Sequence, residues 1–340
     1  MTSAKTSQAA QVIIAVILFV VALSIASSVF APVAFALFII ALVWPLQQRL
    51  ERHAPAIVAM VATLAVTVVA VFALGYVVVW GFSHAGHWLL LNAARFQALY
   101  AEATTFLEGH GLYTTGMLSD AFNAGALIRL SQNLAGRLNG MVGFAVVTLI
   151  FVMLGLLEVR LIAAKLVSER GDSGRRLVAG CTATASKFRT YMGVRTVMSV
   201  ITGVAVWAFT AWLGLELALA FGAIAFALNY VPFLGPLVAT LLPTFFTLAQ
   251  FGSWRLAIAV LVAMNLIQFF TGSYIEPRVA GRAVSVSPFL VLFAVFFWSF
   301  LWGISGAFIG VPMVIAALTL CEHADSTRWV ARLLSGREAP

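Results

Sequence analysis

The sequence predicts an all-α polytopic integral membrane protein with about six spanning helices and two broken helical hairpins. Of its 340 residues, 62% are hydrophobic and only 9% are charged, which is more apolar surface than a water-soluble domain can bury. The apolar residues form long uncharged runs, near the length of about 20 residues that a spanning helix needs. The basic residues cluster in short connections between these runs, where lysine and arginine set membrane orientation.

Composition and motifs exclude several other classes of protein. The net charge of +8 does not indicate nucleic-acid binding, because the basic residues lack an aromatic stacking platform. The GISG segment at 303–306 matches the GxSG of intramembrane serine proteases, but that chemistry needs a general base on a second membrane helix. The five histidines fall in loops or at membrane edges: His53, His84, His87, His110 and His323. His84 and His87 have metal-ligand spacing without a third ligand, so we expect no enzyme, metal or cofactor.

The first 82 residues are predicted to be N-terminal transmembrane helices. Uncharged runs fill 9–44, which Pro32 divides into two helices, and 57–82. Residues 83–139 follow as an extracytoplasmic insert of two amphipathic helices, because apolar residues recur there at three- and four-residue steps. The first stripe is Leu89, Ala93, Phe96, Tyr100, Ala103 and Leu107, and the second is Leu127, Leu130, Leu134, Leu138 and Met141.

Residues 140–195 are predicted to hold one transmembrane helix and a basic cytoplasmic linker. Eight lysines and arginines lie between Arg160 and Arg195, counting both ends, an excess typical of the cytoplasmic side. Counting crossings from this linker places both chain termini in the cytoplasm. A stripe of apolar residues with basic residues opposite predicts an amphipathic helix on the anionic lipid surface. Its members are Leu177, Cys181, Ala185, Phe188 and Met192.

Residues 196–322 are predicted to contain two broken hairpins that enter the membrane from opposite sides, and we call them the transport region. The arms 217–231 and 237–250 would each reach only about 20 to 22 Å, short of the roughly 30 Å hydrocarbon core. A hairpin with its tip at 232–236 therefore fits better than two spans. After a spanning helix at 255–272, residues 289–320 have the same anatomy, with 302–306 between the arms. Residues 323–340 form a cytoplasmic tail.

Paired broken segments of inverted topology are typical of the solute site of a secondary transporter. Two ordinary helical hairpins in a channel or a scaffold are the alternative. Gly303, Gly306, Gly310 and Pro312 are predicted to be the hinge of the second hairpin. Gly306 and Gly310 also have the GxxxG spacing that lets helices approach closely.

Few polar side chains fall inside the apolar part of this region. Asn229 and Tyr230 precede the first tip, and Asn265 and Gln268 share one face of the intervening helix. These uncharged hydrogen-bonding groups suit a small hydroxyl-rich solute. Buried amides can also serve only to join helices, and that alternative stays open for Asn265 and Gln268.

Two charges flank Pro277 at membrane depth. Glu276 and Arg278 would each cost a few kcal/mol there unless they are paired or face water. One interpretation is an ion pair that fixes the turn. The other is a charge offered to the substrate or to a proton.

Three segments carry a resemblance to a known family. LNYVPFLGPLVATLLP at 228–243, YIEPRVAGRAVSVSP at 274–288 and FWSFLWGISGAFIGVPM at 297–313 resemble the autoinducer-2 exporter family of bacterial permeases. The layout of the first half is also similar to that family. The resemblance implies a secondary transporter of the bacterial inner membrane, a homo-oligomer and specifically a pentamer, that moves solute by an elevator-like motion.

The resemblance also implies roles for individual residues. The PxxGP tip falls on Pro232, Gly235 and Pro236, among the solute-binding candidates. The EPxxxGR turn falls on Glu276, Pro277, Gly281 and Arg282, with Arg278 in the usual basic place. We expect Glu276, Arg278, Gly281 and Arg282 to gate the cytoplasmic exit. Ala283 and Val284 stand where relatives carry a Gly-rich sequence, which leaves the flexibility of the turn open.

The substrate is not fixed by the resemblance. Some members are described as exporters of autoinducer-2, others as sodium/proton antiporters. An antiporter needs a titratable carboxylate inside the membrane, and Glu276 is the candidate, whereas a small polar solute suits the amides and Tyr230. A non-transporting oligomeric scaffold, which binds a partner through the outer helices, is the third hypothesis.

Overall fold

The computed structural model describes residues 2–109, 124–280, 286–325 and 327–334. The side chains of 2–9, 124–139 and of 93, 100, 103, 106, 107, 141 and 280 lie outside this description. The described residues are helical almost throughout, which confirms the predicted fold class. The helices are α1 (Thr2–Ile25), α2 (Ser27–Leu50), α3 (Ala56–Leu91), α4 (Ala93–Gly109), α5 (Ala124–Trp212), α6 (Ala218–Leu228), α7 (Leu234–Phe251), α8 (Trp254–Phe269), a π-helix (Phe270–Ile275), α9 (Glu276–Ala280), α10 (Pro288–His323) and α11 (Arg328–Leu334).

Six of the described helices are long and apolar enough to cross a membrane, so the chain is a multi-pass membrane protein. They are Ser27–Leu50, Ala56–Leu91, Val142–Trp212, Leu234–Phe251, Trp254–Val279 and Pro288–His323. Ala10–Ile25 and Ala218–Leu228 are apolar but shorter. The number matches the predicted six, although the members differ, because α7 was expected to be one arm of a broken hairpin.

The first long apolar run breaks at Ala26, with φ −93° and ψ 30°, and the prediction of a break at Pro32 is wrong. Pro32 lies buried inside α2. A proline inside a helix removes one backbone hydrogen bond. Pro32 lies in the second turn of α2, and the helix continues past it. A second proline, Pro45, also lies within α2.

The long helix α5 reverses direction at Gly171, which has φ 54° and ψ −122°. The Leu166 carbonyl lies against Gly174, although eight residues of straight helix would separate them by about 12 Å. A positive φ is readily adopted only by glycine, so Gly171 permits the turn. We call the residues up to 170 the first half of α5 and those from 172 the second half.

The chain divides into two compact units, each made of separate segments. The first unit comprises Met1–Val66, Phe144–Thr190 and Ala283–Pro340, and the second comprises Thr67–Gly143 and Tyr191–Arg282. A core of the first unit joins α2, α3 and α5 and contains Ala36, Ile40, Met60, Val152 and Leu156. The predicted division into the segments 1–82, 83–139, 140–195, 196–322 and 323–340 stays a prediction.

The core of the second unit is rich in aromatic side chains. Trp88 and Phe246 lie 5.0 Å apart between ring centroids, and Phe96 stacks on Phe245 at 5.3 Å. The first contact attaches the end of α3 to α7, and the second attaches α4, which carries part of the first predicted amphipathic stripe, to α7. The second stripe, from Leu127 to Met141, lies outside the described side chains.

The second half of α5 is the predicted cytoplasmic amphipathic helix, but its buried face differs slightly from the predicted stripe. Thr184, Phe188 and Tyr191 are buried, whereas Leu177 and Cys181 are exposed. The sequence predicts that the neighbouring face of the helix is buried, because Leu177 and Met192 are more apolar than Thr184 and Tyr191. Phe188 belongs to both faces and packs on Phe38 at 5.0 Å.

Candidate functional site at the first hairpin tip

Helices α6 and α7 form the first hairpin, which lies in the second unit. The Leu228 carbonyl contacts Gly235, and a methyl group on Gly235 would lie 3.0 Å from Asn229 Cα, so the arms meet closely at the tip. With 11 residues, α6 is about 17 Å long, and α7 with 18 residues is about 27 Å long. The first arm is shorter than the predicted 217–231, and α7 is longer than the predicted 237–250.

The tip between the arms is a strained turn. The Leu234 N–H donates to the Pro232 carbonyl at 2.8 Å, and Phe233 between them has φ 64° and ψ −47°. These values correspond to the rare γ-turn of positive φ, a conformation that costs a non-glycine residue about 1–3 kcal/mol. Pro232 is buried beside it, and Pro236 lies in the first turn of α7.

The predicted solute residues Asn229 and Tyr230 both reach the second half of α5. Asn229 Nδ2 donates to Ser199 Oγ at 3.3 Å, and the Tyr230 hydroxyl donates to Thr196 Oγ1 at 3.1 Å. Both side chains are buried, each only 8% exposed. The tip therefore lies level with residues 196–199 of α5, a contact that sequence patterns did not predict.

The charged partner of Glu276 is Arg195, in the turn next to these contacts. Arg195 and Glu276 approach to 3.2 Å, with side chains 13% and 27% exposed. The Arg195 guanidinium also lies over the Tyr191 ring, 5.5 Å from its centroid. Its Nε is buried and makes no hydrogen bond within the described residues.

The hypothesis of an ion pair between Glu276 and Arg278 is therefore wrong. Arg278 stacks on Tyr274 instead, with 3.4 Å from its guanidinium carbon to the ring centroid, and donates to the Tyr274 carbonyl at 3.3 Å. Arg278 lies four residues after Tyr274, so its side chain extends back along the helix toward that residue. Gly281 and Arg282 lie outside the described residues.

The helix before Glu276 changes to a π-helix over Phe270–Ile275, a form that is rare and frequent at functional sites. Gln268, two residues before the π-helix, is half-buried, and its Nε2 has no hydrogen-bond partner in the described chain. Asn265 is exposed and donates to the Leu261 carbonyl of its own helix at 2.8 Å. No hydrogen bond among the described residues joins these two amides to Asn229.

The second hairpin is α10 itself, which lies in the first unit. Its backbone leaves the helical region at Trp302 and Gly303, where Gly303 has φ 63° and ψ −140°. A methyl group on Gly310 would lie 2.8 Å from the Ala294 carbonyl oxygen, although 16 residues of straight helix would separate the two by about 24 Å. The arms therefore fold back on each other. Gly306 contacts the Trp298 carbonyl, and Pro312 is buried in the second arm.

Glu216, at the turn between α5 and α6, is held in a hydrogen-bonded group. Trp88 Nε1 donates to its carboxylate at 2.6 Å, and its backbone N–H donates to Gln250 Oε1 at 3.2 Å. Gln250 Nε2 in turn donates to the Gly214 carbonyl at 2.9 Å. This group closes the turn between α5 and α6 against the ends of α3 and α7.

Sequence reasoning missed Arg195, Thr196, Ser199 and Phe233. A signal existed for Arg195, because it is the last charge before an uncharged spanning run, where an ionisable residue needs a partner. The hydroxyl groups carried no such signal, since serine and threonine are common in membrane helices and bond to their own backbone.

Comparisons with known proteins give a consistent result. The family model described as AI-2E family transporter matches residues 13–325. The chain is 30% identical over 220 residues to the AI-2 transport protein TqsA of Escherichia coli. This match covers 64% of this chain and 63% of TqsA. It is 28% identical over 149 residues to a putative transport protein of Borreliella burgdorferi (44% of this chain, 41% of the relative) and 28% over 144 residues to the putative transport protein YhhT of Escherichia coli (42% and 41%). Each match spans less than two thirds of the relative's length.

Proposed function

The chain belongs to the AI-2E family of transporters, and we propose that it is a permease that exports or exchanges a small polar solute across the bacterial inner membrane. Transport proceeds by alternating access of an elevator type, in which the hairpins carry the solute contacts. Autoinducer-2 is the first solute to test, because TqsA carries that name. A proton or a sodium ion is the candidate for coupling.

The observation that carries this proposal is the polar group at the first hairpin tip. Asn229 and Tyr230 are buried, and they donate hydrogen bonds to the neutral hydroxyl groups of Ser199 and Thr196. A neutral intramolecular hydrogen bond contributes only about 0.5–1.5 kcal/mol net. A solute that offers equivalent hydroxyl or carbonyl groups can therefore replace these partners at little cost.

The ion pair of Arg195 and Glu276 acts as the gate beside this polar group. Each side chain is more than two thirds buried. Separating the two side chains would leave each charge poorly solvated and without a partner, which raises the free energy of the open state of the gate. The unpartnered Nε of Arg195 offers a donor to a solute that passes the pair.

The strained turn at Phe233 supports movement of the tip. Strain stored in a non-glycine residue of positive φ is released when the residue changes conformation. Phe233 is 48% exposed, so its side chain is free to rotate. The tip can thus move relative to α5 without unfolding either arm.

The gate is tested by flux measurements in proteoliposomes with autoinducer-2 and with sodium and proton gradients. We expect Glu276→Gln and Arg195→Gln each to change the flux by about tenfold. A tenfold change corresponds to about 1.4 kcal/mol in the free energy of the closed state, which the ion pair stabilises. The double variant should be closer to wild type than Arg195→Gln alone, because no unpaired charge remains. Asp172→Asn is the matched control, since Asp172 also pairs with an arginine, Arg175, but on the exposed surface.

The outcomes separate the three hypotheses. Unchanged autoinducer-2 flux and unchanged cation exchange in Glu276→Gln would refute both the gate and the antiporter. Loss of cation/proton exchange in a protein that moves no organic solute would identify a sodium/proton antiporter that uses Glu276. No flux of any kind, with another protein co-purifying, would identify the scaffold.

The proposed oligomer is a homopentamer, which rests on the family resemblance alone. Native mass spectrometry of the purified protein measures the number of subunits directly. A monomeric or dimeric mass in mild detergent and in lipid nanodiscs would contradict it.

A further inference from the structure

A cavity of about 290 Å³ lies beside the reversal of α10, within the first unit. Its polar lining consists of Ser27, Ser28 and Ser305, and Trp302, Leu301 and Phe144 supply most of its apolar lining. The volume equals that of about ten water molecules at about 30 Å³ each. The cavity therefore has room for a small solute.

The three serines of the cavity lack the usual hydrogen bond of a helical hydroxyl. Thr148 and Thr319, for example, donate to the carbonyl four residues earlier at 2.8 and 2.7 Å. Ser27, Ser28 and Ser305 have no hydrogen-bonded side chain among the described residues, and a helix break lies within the four residues before each of them. Ala26 interrupts the helix before the first two, and Gly303 before the third.

Trp302 fixes the wall of the cavity. Its Nε1 donates to the Leu23 carbonyl at 3.0 Å, and Leu23 lies in the last turn of α1, where a carbonyl has no N–H partner within its own helix. The indole also packs on Trp298 at 4.6 Å between ring centroids. The hairpin tip is thus tied to the end of α1, with an aromatic ring held next to free hydroxyl groups.

We propose that this serine cavity binds the hydroxyl- or carbonyl-bearing part of a small neutral solute. Serine hydroxyls both donate and accept hydrogen bonds, and the Trp302 ring offers an apolar surface to the carbon skeleton. In the part of the chain that the structure describes, no charged side chain lines the cavity, so a neutral solute is favoured over an ion. The inference rests on the proposed function and adds a second site, within the first unit, for a solute of the same class.

Thiol labelling tests the site without any measurement of flux. We place Ser305→Cys in the Cys181→Ser, Cys321→Ser background and follow its reaction with a methanethiosulfonate reagent, with autoinducer-2 and erythritol as probes. Labelling should slow saturably, by about tenfold at ten times the dissociation constant of the probe. Ser299→Cys is the matched control, because Ser299 lies one turn before the tip, is equally half-buried and does not line the cavity. Its labelling rate should not change.

A transport measurement gives a second test. Ser27→Ala and Ser305→Ala should each raise KM about fivefold, the effect of one neutral hydrogen bond, and should leave the maximal rate near wild type. Ser27→Cys replaces Ser305→Cys in the labelling assay if the latter does not fold.

The results distinguish this site from the proposed function. Flux in the wild type, with neither probe protecting Ser305→Cys or Ser27→Cys, overturns the serine cavity and leaves the transporter intact. Protection without flux supports the cavity and overturns the permease. Equal protection of Ser299→Cys means that the probe acts on the reagent or on the whole protein, and this result also overturns the site.

Discussion

The two hairpins reverse direction at residues of nearly equal φ but different chemistry. Gly303 has φ 63° and Phe233 has φ 64°. Glycine reaches this region freely, whereas a side chain with a Cβ meets steric strain. The first tip therefore stores conformational energy, and the second tip does not.

Replacing the strained residue should stabilise the protein. We expect Phe233→Gly to raise the free energy of unfolding by up to about 1 kcal/mol, because release of the strain exceeds the greater entropy that glycine gains in the unfolded chain. Leu237→Gly is the control, since Leu237 is similarly exposed but lies inside α7, and should lower stability by about 1 kcal/mol. Thermal unfolding in detergent measures both. Equal destabilisation by the two variants would show that Phe233 is not strained.

The contact of Gly306 with the first arm of α10 leaves no space for a methyl group. A Cβ at Gly306 would overlap the Trp298 carbonyl, so Gly306→Ala must push the arms apart, at a cost of about 1–3 kcal/mol. Gly193→Ala has open space and should be neutral or stabilising, because alanine favours helix. The two melting temperatures give the comparison. A Gly306→Ala protein as stable as Gly193→Ala would contradict the close approach of the arms.

At the scale of elements, an arginine of one helix replaces the hydrogen bond that a proline removes from another helix. Pro45 has no N–H to donate to the Ala41 carbonyl four residues earlier. Arg189, on the second half of α5, donates to that carbonyl at 2.8 Å. The hydrogen bond joins α5 to α2 next to the contact of Phe38 and Phe188.

This compensation predicts a coupling between two residues that do not touch through their side chains. Arg189→Ala alone should destabilise by about 1.5–3 kcal/mol, the range for a hydrogen bond to a charged group. In a Pro45→Ala background the helix regains its own N–H, so the same change should cost less by about 1 kcal/mol. A double-mutant cycle of chemical unfolding measures the difference. Additive effects would mean that Arg189 stabilises the fold by some other contact.

The same elements show which features a local pattern can predict. Proline and glycine mark the first hairpin tip, and the predicted tip at 232–236 overlaps the observed break between α6 and α7 at 229–233. Long apolar runs predict the multi-pass membrane fold. The break at Ala26 has no such marker, and Pro32 was mistaken for it. The partner of Glu276 is Arg195, 81 residues earlier, and only tertiary packing brings them together.

At the scale of the whole molecule, ion pairs join the basic linker to distant parts of the first unit. Arg160 pairs with Glu51, Arg176 with Asp325, and Lys187 with Glu322 at 2.8 Å. The connection between α2 and α3, the linker and the end of α10 therefore lie at one end of this unit. If the linker is cytoplasmic, as its positive charge predicts, the start of the tail is cytoplasmic too.

The two natural cysteines allow this orientation to be measured. Cys181 is exposed on the second half of α5, and Cys321 is half-buried near the end of α10. A membrane-impermeant maleimide should therefore label the protein in inverted vesicles and not in right-side-out vesicles, and Cys181→Ser should remove most of the signal. Glu102→Cys, in a background without the natural cysteines, is the opposite control, because Glu102 is exposed on α4 in the segment predicted to be extracytoplasmic. Labelling of Cys181 from the outside would reverse the predicted orientation of the linker, and with it that of both termini and both hairpins.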